Sequence, residues 1–266
     1  MQKRKLTRKI VVWARRGEIR DQLNNECPWC DKAVGQVTEA VVGSDLVIAC
    51  TPVEHIVQLF PQIGPFLQPG ALVTDVGSVK ARICQKAREI LPPSVHFVGS
   101  HPMAGSEKSG MLHARPDLYE NRFCFVTPQT EDPTEQTDII VQFWKALGMQ
   151  VRTKSPLEHD EIVAHISHLP HFLATVLSSH LSNKPEEWAG YSGGGLRDTT
   201  RIAAGDPGMW TDIITQNRDQ ILSALEEFQK QLLSFQKAVA ESDDHTARQF
   251  LDRGKSFRDH LENTQL

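Results

Sequence analysis

Residues 45–76 read DLVIACTPVEHIVQLFPQIGPFLQPGALVTDV. Two apolar, β-branched runs, DLVIAC (45–50) and ALVTDV (71–76), enclose a helical pattern, with Thr51-Pro52 closing the first run and Gln68-Pro69-Gly70 turning into the second. Each run is continuously apolar rather than alternating, as expected of strands covered by helices on both faces. Strand, helix, strand at this spacing is a parallel crossover unit. The same grammar extends outward. KIVVWA (9–14) precedes it, VKARICQKAREIL (79–91) and SVHFVG (94–99) follow, and RFCFVTP (122–128) and MQVRT (149–153) flank the helical PTEQTDIIVQFWKALG (133–148). We therefore expect a doubly wound, parallel α/β sheet domain over residues 1–154.

The pattern changes at Ser155. SPLE (155–158) has the form of a capping box with proline at the first helical position. β-type runs then disappear, and helical patterns cover about 156–181, 207–240 and 244–261. Asp206-Pro207 is a second cap-then-proline start. The expectation for 155–266 is an all-helical domain whose segments are joined by the glycine-rich YSGGGLRDTTRIAAGDP (191–207). The long apolar pattern ILSALEEFQKQLLSFQKAV (221–239) suits helix-on-helix packing, either between subunits or within the chain.

Of the 266 residues, 39% are hydrophobic and 23% charged, and the net charge is −4. That composition gives no basis for nucleic-acid or anionic-membrane partners. No apolar run approaches the ~20 residues a bilayer-spanning helix needs. A soluble, cytoplasmic protein is expected. Cys27 and Cys30 form a lone CPWC pair without the second pair a zinc site needs, and Cys50, Cys84 and Cys124 lie in apolar runs as expected of buried thiols.

Doubly wound sheets bind ligands beyond the carboxyl ends of their strands. Those ends supply Thr51-Pro52, the turn DVGSVK (75–80) and His101 in GSHPMAGSEKSG (99–110). DVGSVK offers backbone N–H groups to an anion or nucleotide, although Ser78 would equally cap a helix starting at Val79. The glycines, proline and serines around His101 read as a turn beneath a loop of small residues. In the helix from 156, His165, His168 and His171 recur at steps of three, with Asp160 about three turns before His171. The pattern lacks HExxH and a carboxylate at ligand spacing, so no metal is expected. Pro170 should kink this helix and redirect His171. Arg197 and Arg201 sit four apart beside the glycine-rich turn, suited to gripping a carboxylate or to surface ion pairs with Asp198 or Asp206.

Together, GSHPMAGSEKSG, DVGSVK, HISHLPH (165–171) and GGGLRDTTRIAAGDPGMW (193–210) resemble the prephenate/arogenate dehydrogenases, the TyrA family of tyrosine biosynthesis, over residues 9–260. The resemblance implies oxidative decarboxylation of prephenate or arogenate with NAD(P)+ as hydride acceptor, in a homodimer formed through the helical domain. By the same resemblance His101 is the base on the ring hydroxyl and Ser78 orients it. His171 and Arg201 bind substrate, Asp160 pairs with Arg201, Glu107 and Trp210 line the pocket, and Gly194 lets the backbone approach. Thr51, Pro52, Asp75 and Gly77 would contact the cofactor.

One element of the family is missing. Its members begin with a strand, GxGxxG and a helix, whereas KIVVWA takes the place of the second strand and no GxGxxG occurs. We expect the first βα unit to lie upstream of Met1 in a longer working protein. The alternative is an inactive, truncated relative acting as a dimeric carboxylate- or partner-binding module. At the end of KIVVWA, where NAD enzymes often carry an acidic residue, the chain has Ala14-Arg15-Arg16. Arg15 and Arg16 would accommodate a 2′-phosphate, so NADP is expected over NAD. The choice between prephenate and arogenate stays open.

Overall fold

The computed structural model describes residues 6–105, 114–130 and 132–263. The first half alternates strands and helices in three ladders. In the first, β1 (Val11–Trp13) pairs in parallel with β2 (Lys32–Val34) across helix α1 (Gly17–Glu26). After α2 (Val37–Val41), β3 (Leu46–Ala49) runs parallel to β4 (Leu72–Asp75), and α3 (Val53–Ile63) is their crossover. Helix α4 (Ala81–Ile90) returns the chain to β5 (His96–Phe97), parallel to β4. In the third ladder β6 (Gly99–Pro102) is antiparallel to β7 (Phe123–Thr127), which is parallel to β8 (Gln150–Thr153) across α5 (Thr134–Ala146).

The central strand β4 is buried along its whole length, as its unbroken apolar run predicts. Beside it, Val98, Cys124, Val126, Ile140, Phe143 and Trp144 form one core with Leu72. The apolar face of α3 contributes Ile56 and Phe60, both without solvent exposure, and Phe60 meets Phe97 edge-on at 5.5 Å.

Three expectations need correction here. SVHFVG is two strands, β5 and β6, and His101 belongs to β6 opposite Phe125 rather than to a turn. Pairing with β7, 22 or more residues further on, holds this glycine- and proline-flanked segment extended. The sheet is therefore mixed at this edge, since β6 and β7 are antiparallel. Cys84 and Cys124 are buried, but Cys50 is exposed at the end of β3.

Helix α6 (Pro156–Val163) opens with the expected capping box. The Ser155 N–H donates to Glu158 Oε2 at 2.8 Å, and the Glu158 N–H donates to Ser155 Oγ at 3.2 Å. A π-helical turn (Ala164–His168) follows, then α7 (Leu169–Leu181), with Pro170 in its first turn. The π turn thus lies directly before Pro170, where the sequence placed a kink. The glycine-rich stretch is itself helical, containing α8 (Glu187–Gly190), α9 (Gly194–Thr200) and a 3-10 turn at Arg201–Ala204. Helix α10 (Pro207–Gln216) starts where Asp206 Oδ1 accepts the Met209 N–H at 2.8 Å. Helices α11 (Arg218–Ala240) and α12 (Asp244–Asn263) are the last described elements, with Phe235 and Phe250 in edge contact at 5.6 Å.

The chain forms two compact units, residues 1–163 with 204–216, and residues 164–203 with 217–266. No described helix is long and apolar enough to cross a membrane.

Candidate active site

The turn after β4 is built around buried charge. Asp75, at the end of the strand, has no solvent exposure, nor does Lys80. Asp75 Oδ2 receives the Lys80 ammonium and the Gly77 N–H, the latter at 2.9 Å, and its Oδ1 receives the Ser100 N–H at 3.2 Å. The same ammonium donates to the Ser100 carbonyl at 2.9 Å, and the Thr74 and Ser100 hydroxyls lie 2.6 Å apart. A buried ion pair persists only when its remaining hydrogen-bonding capacity is filled in this way. Together with the Val98 N–H bond to the Val73 carbonyl at 3.0 Å, these bonds hold Ser100, and with it His101, at the end of β4.

Glycine is required at two points of this cluster. A Cβ on Gly77 would stand 2.8 Å from Ile83 Cδ1 and 2.9 Å from Asp75 Oδ2. On Gly99 it would stand 2.5 Å from Thr127 Oγ1 and 2.8 Å from Cys84 Sγ. The turn therefore does not present Asp75 and Gly77 to a cofactor as the sequence suggested. The Asp75 carboxylate and the Gly77 N–H are spent on one another and on Lys80, inside the protein.

Helix α4 begins at Ala81, not Val79, and Ser78 does not cap it. Its cap arrives from α6: Asp160 Oδ1 accepts the Lys80 N–H at 2.7 Å and Oδ2 accepts the Ala81 N–H at 2.9 Å. A carboxylate here satisfies orphan amides and sits at the positive end of the helix dipole. Asp160 Oδ1 also lies 2.8 Å from His159 Nδ1, and His159 Nε2 lies 2.9 Å from His101 Nδ1. The rings of His101 and His159 meet edge-on at 5.1 Å, and Phe125 packs against His159 in the same manner at 5.2 Å.

His159 is fully enclosed, and burial holds its pKa below the ordinary imidazole value against the pull of Asp160. A bond that orients His101 thus comes from His159, while Ser78 is half-buried on the turn after β4. Sequence reasoning passed over His159. The step-of-three spacing selects His165, His168 and His171, and the available signal was only a histidine adjoining a carboxylate on a helix whose opposite face is polar.

The remaining sites divide between the two units. In the first, Thr51 and Pro52 follow β3, and the Thr51 hydroxyl is a buried oxygen without a hydrogen-bond partner among the described residues. Arg15 and Arg16 follow β1 with exposed side chains, and Arg20 rather than either of them turns back to bond the Ala14 and Arg15 carbonyls. Trp210 is half-buried on α10. In the second unit His171 is buried on α7, its ring hydrogen-bonds the backbone of Ile202, and burial lowers its pKa. That bond brings His171 to the short turn that starts at Arg201. Gly194 opens α9, where a Cβ would meet nothing within 4 Å. His168 is buried against Asn217, its Nδ1 3.3 Å from Asn217 Nδ2. Glu107 lies outside the described residues. Among the described residues no group of three or more His, Cys, Asp or Glu side chains could hold a metal ion.

Comparison with known proteins agrees with this division of labour. The family described as prephenate dehydrogenase, nucleotide-binding domain matches residues 2–153, and that described as prephenate dehydrogenase, dimerization domain matches residues 155–253. The chain is 33% identical to a prephenate dehydrogenase of Bacillus subtilis over 235 residues, 87% of this chain and 62% of the relative. It is 30% identical to a cyclohexadienyl dehydrogenase of Zymomonas mobilis over 231 residues, 85% of this chain and 78% of that one. Its fold superposes with a TM-score of 0.90 on a crystal structure of prephenate dehydrogenase from Aquifex aeolicus in complex with hydroxyphenyl propionate and NAD+. That match is 28% identical and covers 98% of this chain and 91% of the other. The chain thus spans about three fifths of the Bacillus relative's length and nearly all of the Aquifex structure. With its first half matched by the nucleotide-binding family and its second by the dimerization family, the chain belongs to the prephenate dehydrogenase family.

Proposed function

We propose that the protein is a prephenate or arogenate dehydrogenase, oxidising and decarboxylating its substrate to 4-hydroxyphenylpyruvate or tyrosine while reducing NAD(P)+. The observation that carries this reading is the placement of His101, held on β6 at the edge of the nucleotide-binding sheet by the chain of bonds through His159 to Asp160. A half-buried imidazole so held suits proton abstraction from a ring hydroxyl. Relatives named prephenate and cyclohexadienyl dehydrogenase support the substrate class, and so does the Aquifex complex, whose ligand is a phenol bearing a carboxylate.

A nicotinamide dinucleotide would supply the hydride acceptor. The residues that fit it are those at the ends of β1 and β3. The unsatisfied Thr51 hydroxyl, beside Pro52, is a donor without a partner, and Arg15 and Arg16 stand exposed where a ribose 2′-phosphate would be read. NADP is the preferred cofactor on that basis. His101 accepts the hydroxyl proton, and the family resemblance implies that Ser78, on the turn after β4, assists it. By the family resemblance His171 would bind the substrate and Arg201 would grip a carboxylate. Gly194 gives access to the backbone, and Glu107 and Trp210 complete the pocket. The enzyme works in the cytoplasm as a homodimer through its helical half.

The test is reduction of NAD+ and NADP+, with prephenate and with arogenate, by the purified protein carrying the strand–GxGxxG–helix segment with which its family begins, followed at 340 nm. Substrate-dependent reduction with loss of carbon dioxide is expected, faster with NADP+. Folded protein that turns over neither substrate with either dinucleotide would overturn the reading in favour of a non-catalytic dimeric module.

A further inference from the structure

We infer that His159 is a positioning residue that selects the tautomer of His101, so that the nitrogen carrying the lone pair is Nε2. The inference rests on the dehydrogenase reading above for its consequence, but its geometry stands alone.

The direction of each bond follows from the one before it. Both oxygens of Asp160 face backbone donors, Oδ1 the Lys80 N–H at 2.7 Å and Oδ2 the Ala81 N–H at 2.9 Å. An ionised carboxylate can only accept, so Asp160 takes the His159 Nδ1–H across 2.8 Å. His159 is walled in by the Phe125 ring and protein on all sides, and burial favours its neutral form. A neutral ring protonated at Nδ1 has a bare Nε2. The short 2.9 Å contact then requires His101 to donate Nδ1–H to that nitrogen. His101 is left protonated at Nδ1 and bare at Nε2, the nitrogen that takes a proton from substrate.

The same chain stabilises the product of that step. When His101 gains a proton and becomes imidazolium, its Nδ1–H already points toward a neutral ring that is hydrogen-bonded to a fixed carboxylate. Asp160 cannot swing away, because two amides of helix α4 hold it. The ionisable groups around His159 are His101 on β6, Asp160 on its own helix, and Lys80 and Asp75 at the turn after β4. The Lys80–Asp75 pair is internally neutral, so the field at His159 comes chiefly from Asp160.

The experiment is heteronuclear NMR of the purified chain with 15N-labelled histidine, combined with steady-state kinetics, on wild type, His159→Leu and His159→Gln. His101 is assigned through His101→Gln. In the wild type its resonances should be those of the Nδ1–H tautomer, and in His159→Leu those of the Nε2–H tautomer. His159→Gln, whose amide oxygen can still accept from His101 Nδ1–H, should retain the wild-type tautomer. Loss of kcat in the leucine variant should be on the order of 10²-fold, the scale of a positioned general base, with KM changed much less and partial rescue in the glutamine variant. A wild-type His101 protonated at Nε2, or a leucine variant with an unchanged tautomer and kcat, would overturn the inference. Should the leucine variant fail to fold, the wild-type tautomer and the glutamine variant decide it. If the wild type proves inactive but its tautomer is as stated, the positioning role of His159 survives independently of the dehydrogenase reading.

Discussion

Lys80 and Asp160 are 80 positions apart, yet the Lys80 backbone N–H donates to Asp160 Oδ1 at 2.7 Å. One carboxylate thus caps the start of a helix in a distant segment and also anchors the histidine behind His101. Helix α4 has no side-chain cap of its own, so the two functions share a single residue.

Asp160→Ala should therefore cost both stability and rate. Removing the cap leaves two buried amides unsatisfied, and about 1–3 kcal/mol of unfolding free energy should be lost. Asp160→Asn should lose less, since its amide oxygen still accepts one N–H while its amino group faces the other. Urea denaturation of the three proteins measures the difference. An alanine variant with the wild-type midpoint would show that the cap contributes nothing.

The Asp75–Lys80 pair predicts strong coupling. Both side chains are wholly enclosed. Lys80→Met strands a carboxylate without its partner and should destabilise by about 3–5 kcal/mol, and Asp75→Leu should do likewise with the ammonium. The double variant removes both charges and should be less destabilised than the sum of the two. A double-mutant cycle by chemical denaturation reads this directly. Simple additivity of the single effects would mean the pair is not coupled.

What was legible in the chain depended on how far each partner lay along it. The caps at Ser155 and Asp206 use acceptors and donors three residues apart, and both form as their local sequence implies. The strand–helix alternation is likewise a local signal, repeated often enough to define the sheet half. The cap of α4 is different, because nothing near Ala81 hints at Asp160. His101 looked like a loop residue because its strand partner, Phe125, lies beyond a stretch rich in glycine and serine. Asp75 had the right place for a cofactor ligand, at a strand's carboxyl end, but the buried Lys80 that claims it reads on paper as an exposed helix residue. His159 carried no signal of its own, since a histidine beside an aspartate on a helix is ordinarily solvated.

Two glycines give opposite expectations. Gly77→Ala would drive a methyl into Ile83 and the Asp75 carboxylate, at 2.8 and 2.9 Å, and should destabilise by about 1–3 kcal/mol, the cost of an overpacked core. Gly194→Ala meets nothing within 4 Å and occupies the first turn of a helix, so it should leave the melting temperature unchanged or slightly raised. If Gly194 admits the substrate to the backbone, its alanine variant should nonetheless raise KM. Calorimetry and kinetics on the two variants separate a glycine needed for packing from one needed for binding. Equal stability losses in both would contradict the steric distinction.

The buried histidines make stability depend on pH in a definite direction. His159 and His171 both have pKa values lowered from the ordinary 6.5, in each case chiefly because burial disfavours the charged ring. In the folded protein they bind fewer protons than in the unfolded chain between those lowered values and 6.5. Unfolding free energy therefore rises with pH through that window. The stabilisation is fully present above pH 6.5 and is lost as pH falls toward the folded-state values. Each histidine contributes at most about 1.4 kcal/mol per pH unit to the slope. Urea titrations between pH 5 and 8 should show a plateau above neutrality and a decline below it. His159→Gln removes one titrating group while keeping an acceptor for His101, so its decline should be shallower than that of wild type. A decline of unchanged steepness in that variant would mean that His159 takes up its proton as readily folded as unfolded, contrary to its enclosure behind Phe125 and Asp160.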